Sequence, residues 1–376
     1  MITSSIRAIY KVNLGIKQGE TVLVFTDIPL PAEVLTEHEH CRRQRLRDVA
    51  LLAAEIGKTF TRKIRCLEST ATGGHGIEPP EELWSAAFGE KTVRELKKAG
   101  LLSPLIKKKI TGEGMKKAEV IIGRYGKSAV DAVIALANYS TSHTSFRDLL
   151  TRLCGCRYAS MPLFDISMFE GPMNVDWKAL AKRTSAIAKA LNKAEAIEIK
   201  TPNGTHITLS KKGRRALADT GILTRQGAFG NLPAGEAFLA PLEGTANGTL
   251  VLEWAPTREL KSPLVLHIRD GAVMEITGDE PYADYLRAKL SEREENRNIA
   301  ELGIGTNDRA KRPDNILESE KIFGTVHLAL GDNSSFGGEV KTPFHQDFVF
   351  FRPTVILKAR DNTCSYLLRN GSLNLQ

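Results

Sequence analysis

Ala196-Ile-Glu-Ile-Lys200-Thr-Pro-Asn203-Gly204-Thr-His206-Ile-Thr-Leu-Ser210 is the stretch that decides the fold. Ile197 and Ile199 alternate with polar residues before Asn203-Gly204, and Ile207 and Leu209 do so after it. A period of two places alternate side chains on one face of a strand. Asn-Gly is the favoured two-residue hairpin connection. The stretch therefore predicts an antiparallel hairpin that buries one face.

Carboxyl-terminal to it the pattern stays β. Asn247-Gly248 precedes a strand over 249–254, and strands over 264–269 and 272–276 flank the turn Asp270-Gly271. A long helix is expected over 282–300, with strands returning at 324–330, 345–358 and 363–369. Amino-terminal to the hairpin, strands alternate with helices. Thr21-Val-Leu-Val-Phe25 is a short apolar run of buried-strand type. A helix over 32–56, a strand over 61–67, helices within 80–110, a strand over 118–122 and helices over 146–153 and 175–192 follow. Strand–helix–strand order implies a parallel sheet with crossover helices. The fold class expected is an α/β domain over 1–190 with a mostly parallel sheet. An α+β domain over 191–376, with an antiparallel, barrel-like core, completes the chain.

Composition narrows the function. The 376 residues are 42% hydrophobic and 26% charged, as in a globular protein. No apolar run reaches the ~20 residues that span a bilayer. Met1-Ile-Thr-Ser-Ser-Ile-Arg lacks the apolar region of a signal peptide, so a cytoplasmic location and no membrane partner are expected. The net charge of +8 gathers in scattered runs such as Arg42-Arg43-Gln-Arg45 and Lys107-Lys108-Lys109. They lack interleaved aromatics and match no nucleic-acid motif, so no nucleic-acid partner is expected. Five Cys without a C-x-x-C pair give neither a disulfide framework nor a zinc ribbon. No G-x-G-x-x-G follows the first strand and no P-loop occurs, so nucleotide cofactors have no support.

The chemistry-bearing residues are in the second half. They are Glu236 in Asn231-Leu-Pro-Ala-Gly-Glu236, Glu301 in Asn298-Ile-Ala-Glu301-Leu-Gly, His327 in Gly324-Thr-Val-His327, and His345 and Asp347 in His345-Gln-Asp347. Imidazole and carboxylate are ligand types for divalent metals. On a strand, His345 and Asp347 share a face, while Phe344, Phe348 and Phe350 take the other. Glu301 sits in an apolar, Gly-ended run, where a charge is costly unless paired or bound to metal.

The segments Asn231-Leu-Pro-Ala-Gly-Glu236-Ala-Phe-Leu-Ala-Pro, Ala300-Glu301-Leu-Gly-Ile-Gly-Thr-Asn307, Ile316-Leu-Glu-Ser-Glu-Lys-Ile-Phe-Gly324-Thr-Val-His327 and His345-Gln-Asp347 resemble the thermophilic-type metallo-aminopeptidases AmpS, AmpT and PepS. The resemblance implies two divalent ions (Zn, Co or Mn, with Fe possible) held by Glu236, Glu301, His327, His345 and Asp347. It implies a peptide substrate, a homodimer, and hydrolysis by a metal-activated water, with Glu301 or Glu236 as catalytic base. Ser334 stands where that family usually has Tyr. The dihydroxypyridine ring-cleaving dioxygenases resemble the same superfamily. On that alternative His327, His345 and Asp347 form a two-His-one-carboxylate set for mononuclear Fe(II). A non-enzymatic metal-binding homologue is the third reading.

Overall fold

A computed structural model describes residues 2–374 and divides the chain into two compact units. The first comprises Met1–Asn174 with Gly221–Pro233, the second Val175–Thr220 with Ala234–Gln376. The chain thus leaves the first unit after Asn174, where the sequence pattern sets the division at 190.

The first unit is a parallel sheet with helices. Its strands are β1 (Thr21–Ile28), β2 (Lys63–Thr70), β3 (Ala132–Ala135), β4 (Arg157–Ser160) and, from the segment 221–233, β8 (Phe229–Asn231). They lie in the order β2-β1-β3-β4-β8 with parallel pairing throughout. The helices are α1 (Ile2–Ala8), α2 (Glu37–Gly57), α3 (Glu81–Phe88), α4 (Glu90–Lys98), α5 (Leu102–Ile106), α6 (Gly112–Tyr125) and α7 (Ser145–Cys154). Trp84, Phe88, Phe146 and Tyr158 meet in the core with ring centroids 5.0–6.5 Å apart.

Two expectations fail here. The run 118–122 is not a strand but part of α6. Thr111 caps that helix by accepting from Gly114 N, and Ala118 and Ile122, four apart, form its buried stripe. The helix expected from 32 begins at Glu37, where the Thr36 hydroxyl accepts from Glu39 N. The short strands β3 and β4 are buried at all four positions, so no alternation marks them.

The second unit opens with α8 (Trp177–Lys193), capped by Asp176. The hairpin forms as β5 (Ala196–Lys200) and β6 (His206–Ser210), with Ile197 opposite Leu209 and Ile199 opposite Ile207. It is part of an eight-stranded antiparallel sheet with β10 (Asn247–Ala255), β11 (Arg258–Arg269), β12 (Ala272–Thr277), β16 (Thr354–Lys358), β17 (Cys364–Arg369) and β18 (Ser372–Leu373). A second antiparallel sheet runs in the order β15-β14-β13-β9-β7. Its strands are β7 (Leu217–Asp219), β9 (Glu236–Leu239), β13 (Ile299–Gly305), β14 (Val326–Gly331) and β15 (His345–Phe350). The shared apolar core takes Ile197, Ile199, Leu250 and Leu266 from the larger sheet, and Leu302, Ile304, Leu328 and Phe348 from the smaller.

The long helix expected over 282–300 stops early. α9 (Tyr282–Glu292) ends where Arg293 turns extended, and Glu301 lies on β13 instead. The strand expected over 345–358 is two strands, broken at Arg352, whose φ of 50° leaves the sheet conformation. The remaining helix, α10 (Ile316–Ser319), is a short element capped by Asn315.

Candidate metal centre

The five-stranded sheet has a dry face and a polar face. Leu302, Ile304, Leu328, Leu330, Phe348 and Phe350 project into the core. The intervening residues project the other way, and the register aligns them. Glu301 pairs with Ala329, and Ala329 with Asp347. Gly303 pairs with His327 on one side and Phe238 on the other, while Gly305 pairs with Glu236 and Gly331 with His345. All five sequence-predicted residues therefore share one face, through strand periodicity and register alone.

Two trios result. Ligand atoms of Glu236, Glu301 and His327 lie within 4.8 Å of one another, as do those of Glu301, His345 and Asp347. Glu301 belongs to both. His327 Nε2 lies 3.1 Å from Glu236 Oε2 and 3.5 Å from Glu301 Oε1. His345 Nε2 lies 3.5 Å from both Glu301 Oε2 and Asp347 Oδ2. The set His327–His345–Asp347 is not one of these trios; Glu301 takes the place of His327 beside His345 and Asp347.

The other ring nitrogen of His345 is fixed: Nδ1 lies 2.7 Å from the Asp332 carbonyl, which can only accept. Nδ1 therefore carries a proton, and Nε2, facing Glu301 and Asp347, is the nitrogen left to bind a metal once it gives up its own. His327 is fully buried, and its imidazole lies across Gly303, where a Cβ would fall 2.0 Å from Nε2. Before β9, Gly235 turns the chain into Glu236 at a φ of +125°, a conformation that favours glycine.

Two further charged residues packed against the cluster escape the sequence reading. Glu320 and Lys321 follow α10, and Lys321 is fully buried. Its Nζ lies 2.6 Å from Glu236 Oε1 and 2.7 Å from Glu320 Oε2. Both lie within the segment Ile316–His327 that carries the resemblance, but a charged pair beside a short helix reads as a solvated surface.

The electrostatics show buried carboxylates crowded together among cationic groups. Burial raises the Glu301 carboxyl, and the Asp347 and Glu236 charges add to it. Burial also raises Glu320, to about 8, against the pull of Lys321. For Glu236, burial is outweighed by Lys321 and His327, which bring it down to about 2. Burial opposes charge on His345, yet Asp347 and Glu301 raise it to about 10. Carboxylates crowded in this way stabilise any cation brought among them.

The cluster fits a divalent metal on two further grounds. Glu236 Oε2 and both ring nitrogens of His327 are buried without a hydrogen bond, so donor atoms are left over. The donors are all imidazole nitrogen and carboxylate oxygen, the chemistry of Fe, Mn and Zn sites rather than soft thiolate sites. The site opens on the His345 side, where that imidazole is 33% exposed. There Phe336 packs edge-on against His345 at 6.1 Å and against Phe238 at 5.6 Å. The loop carrying Phe336 is held by Glu243, which accepts from Asn333 Nδ2 and Glu339 N, both at 2.9 Å.

Three comparisons bear on what the cluster belongs to. The family model described as NicX, 2,5-dihydroxypyridine 5,6-dioxygenase, matches residues 173–363, just over half of the chain. A 2,5-dihydroxypyridine 5,6-dioxygenase of Pseudomonas putida is 26% identical over 182 residues, 44% of this chain and 52% of that one. The match thus spans about half the length of that relative. The solved 2,5-dihydroxypyridine dioxygenase of Pseudomonas putida KT2440 superposes with a TM-score of 0.69 at 18% identity, covering 100% of this chain and 97% of that one. AmpT from Thermus thermophilus gives 0.56 at 15% identity, covering 99% and 98%.

These findings correct the hydrolase reading. The aminopeptidase resemblance survives as a shared fold with AmpT. The family model and the curated relative both bear a dioxygenase name, so peptidase and hydrolase are withdrawn for this chain. The matched segment carries Glu236, Glu301, Glu320, Lys321, His327, His345 and Asp347, and by that match the chain belongs to the NicX, or 2,5-dihydroxypyridine 5,6-dioxygenase, family.

Proposed function

We propose that this protein is a metal-dependent dioxygenase that opens a hydroxylated nitrogen-heteroaromatic ring. 2,5-Dihydroxypyridine, named in the family and in the curated relative, is the first substrate to test. The observation that carries this reading is that the segment matched by the dioxygenase model contains every donor of the cluster.

Glu301, His345 and Asp347 hold the metal on this reading, with His327 and Glu236 beside them. The all-nitrogen-and-oxygen donor set suits Fe(II), with one carboxylate where the usual facial set has a second imidazole. A bound Fe(II) supplies the redox chemistry that lets O2 react with an aromatic ring. The chain's own residues do the rest. Asp332 fixes the His345 tautomer through its carbonyl. Gly303 leaves room for His327 to reach Glu236 and Glu301. Phe336 and Phe238 present an aromatic wall beside the exposed edge, against which a flat ring can stack. Burial of Glu236, Glu301 and His327 keeps water from the inner donors.

Oxygen uptake by protein loaded with Fe(II) under anaerobic conditions, then mixed with 2,5-dihydroxypyridine and air, tests the reading. Consumption of O2 together with loss of the ring absorbance is expected. A fully loaded protein that consumes no O2 with this or related dihydroxylated N-heterocycles would refute it.

A further inference from the structure

The loop between β14 and β15, residues 332–344, serves the site at two points. At its base the Asp332 carbonyl accepts from His345 Nδ1, and the Asp332 carboxylate accepts from Thr342 N at 3.0 Å. At its tip Phe336 packs against His345 and Phe238. Asn333, fully buried, ties the two sides of the loop together. Its N–H donates to Val340 O at 3.1 Å, its Oδ1 accepts from Val340 N at 2.9 Å, and its carbonyl accepts from Gly338 N at 2.9 Å.

What holds the tip comes from outside the loop. Glu243 lies in the connection between β9 and β10. Its Oε1 accepts from both Asn333 Nδ2 and Glu339 N, one on each side of Phe336. Its Oε2 takes the Arg214 guanidinium, which also donates to the Gly337 carbonyl. Neither Glu243 nor Arg214 is a donor of the metal cluster. A loop that is ordered in advance loses no conformational freedom when a ring packs on it, so such anchoring appears as affinity.

We propose that Glu243, braced by Arg214, is a positioning residue for the substrate. It pins the 336–339 tip so that the Phe336 ring stands beside His345 before a ring arrives, while the base that orients His345 holds without it. The inference rests on the reading above, in which a flat ring stacks on Phe336.

The test is a double-variant cycle. Binding of 2,5-dihydroxypyridine to Fe(II)-loaded protein is measured by calorimetry without O2, and KM and kcat by oxygen uptake. Glu243→Ala is expected to raise Kd and KM about three- to tenfold, as loss of the wall itself would, with kcat nearly constant. Adding Phe336→Ala should weaken binding no further than about twofold beyond the worse single variant, because both remove one wall. Fe(II) affinity should stay the same. Hydrogen exchange should speed up at the Gly338 and Glu339 amides of Glu243→Ala and stay slow at Thr342. A merely structural Glu243 would give effects that multiply with those of Phe336→Ala, and that result would overturn the proposal. So would a fall in Fe(II) affinity, a fall in kcat at constant KM, or unchanged exchange at the tip. Should Glu243→Ala fail to fold, Glu243→Gln, which keeps the shape and drops the charge, takes its place in the cycle. A wild type that binds the ring yet consumes no O2 would refute the dioxygenase reading, and the cycle in Kd would still judge Glu243. A wild type that does not bind the ring would remove both.

Discussion

The imidazole of His327 lies directly over the α-carbon of Gly303, so close that a methyl group there would fall 2.0 Å from Nε2. Gly303 is paired with His327 across β13 and β14, and neither backbone can move without breaking the ladder. Gly303→Ala should therefore displace the imidazole. Metal affinity is expected to fall about 10- to 100-fold, the range for loss of a ligand's support. Stability should drop by about 1–3 kcal/mol from overpacking. Equilibrium metal titration and urea unfolding measure the two. Unchanged metal affinity would show that His327 does not support Glu301 in holding the ion.

Glu301 is the one residue common to both trios. Glu301→Gln removes the charge and keeps the shape. Its effect on metal binding should exceed that of Glu236→Gln, with a loss of about a hundredfold or more. Isothermal titration of the two variants side by side decides the order. A larger effect at Glu236 would move the ion to the inner trio.

Phe336 reaches the site from a loop, and its ring packs edge-on against Phe238 and the His345 imidazole. Phe336→Ala should raise KM for a planar aromatic substrate about three- to tenfold, from lost ring packing. The change in kcat should be small and metal affinity should stay the same, because the wall binds ground and transition states alike. Steady-state oxygen uptake gives both constants. A fall in kcat at constant KM would contradict the assignment.

In the first unit, Glu33 supplies a pH-dependent contribution that can be isolated. Hydrogen bonding from Arg43 holds its carboxyl below the ordinary 4.5, aided by the Tyr139 hydroxyl at 2.8 Å. A depressed folded-state pKa stabilises above the unfolded value and is lost as pH falls through the folded one. Glu33→Gln should cost about 1 kcal/mol at neutral pH. The gap to wild type should narrow as pH falls below 4.5, measured by urea midpoints. A gap constant with pH would contradict the ion pair.

The second half of the fold was legible where local pattern and tertiary environment agree. The β5–β6 hairpin has one buried and one open face, so its sequence alternates about Asn203-Gly204. β13 was not legible: all seven of its residues are buried, so no alternation marks it, and its first two residues read as part of the preceding helix. In the first half, Val120-Ile121-Ile122 looks like a strand by composition, yet tertiary packing keeps it in α6. The site divides in the same way. His345 and Asp347 announce themselves by i,i+2 spacing on one strand, and Glu301 by its apolar setting. Glu320 and Lys321 did not, because a Glu-Lys pair is ordinary on a surface and only the fold buries it. The reaction class was the least legible: the sequence suggested hydrolysis, and the family match corrects it.

Anomalous X-ray diffraction at the iron edge, from crystals grown with Fe(II) under anaerobic conditions, tests the central claim most directly. The account predicts a peak about 2.0–2.2 Å from donor atoms of Glu301, His345 and Asp347, the usual range for nitrogen and oxygen ligands. A peak on some other group of residues, or none at full iron loading, would contradict it.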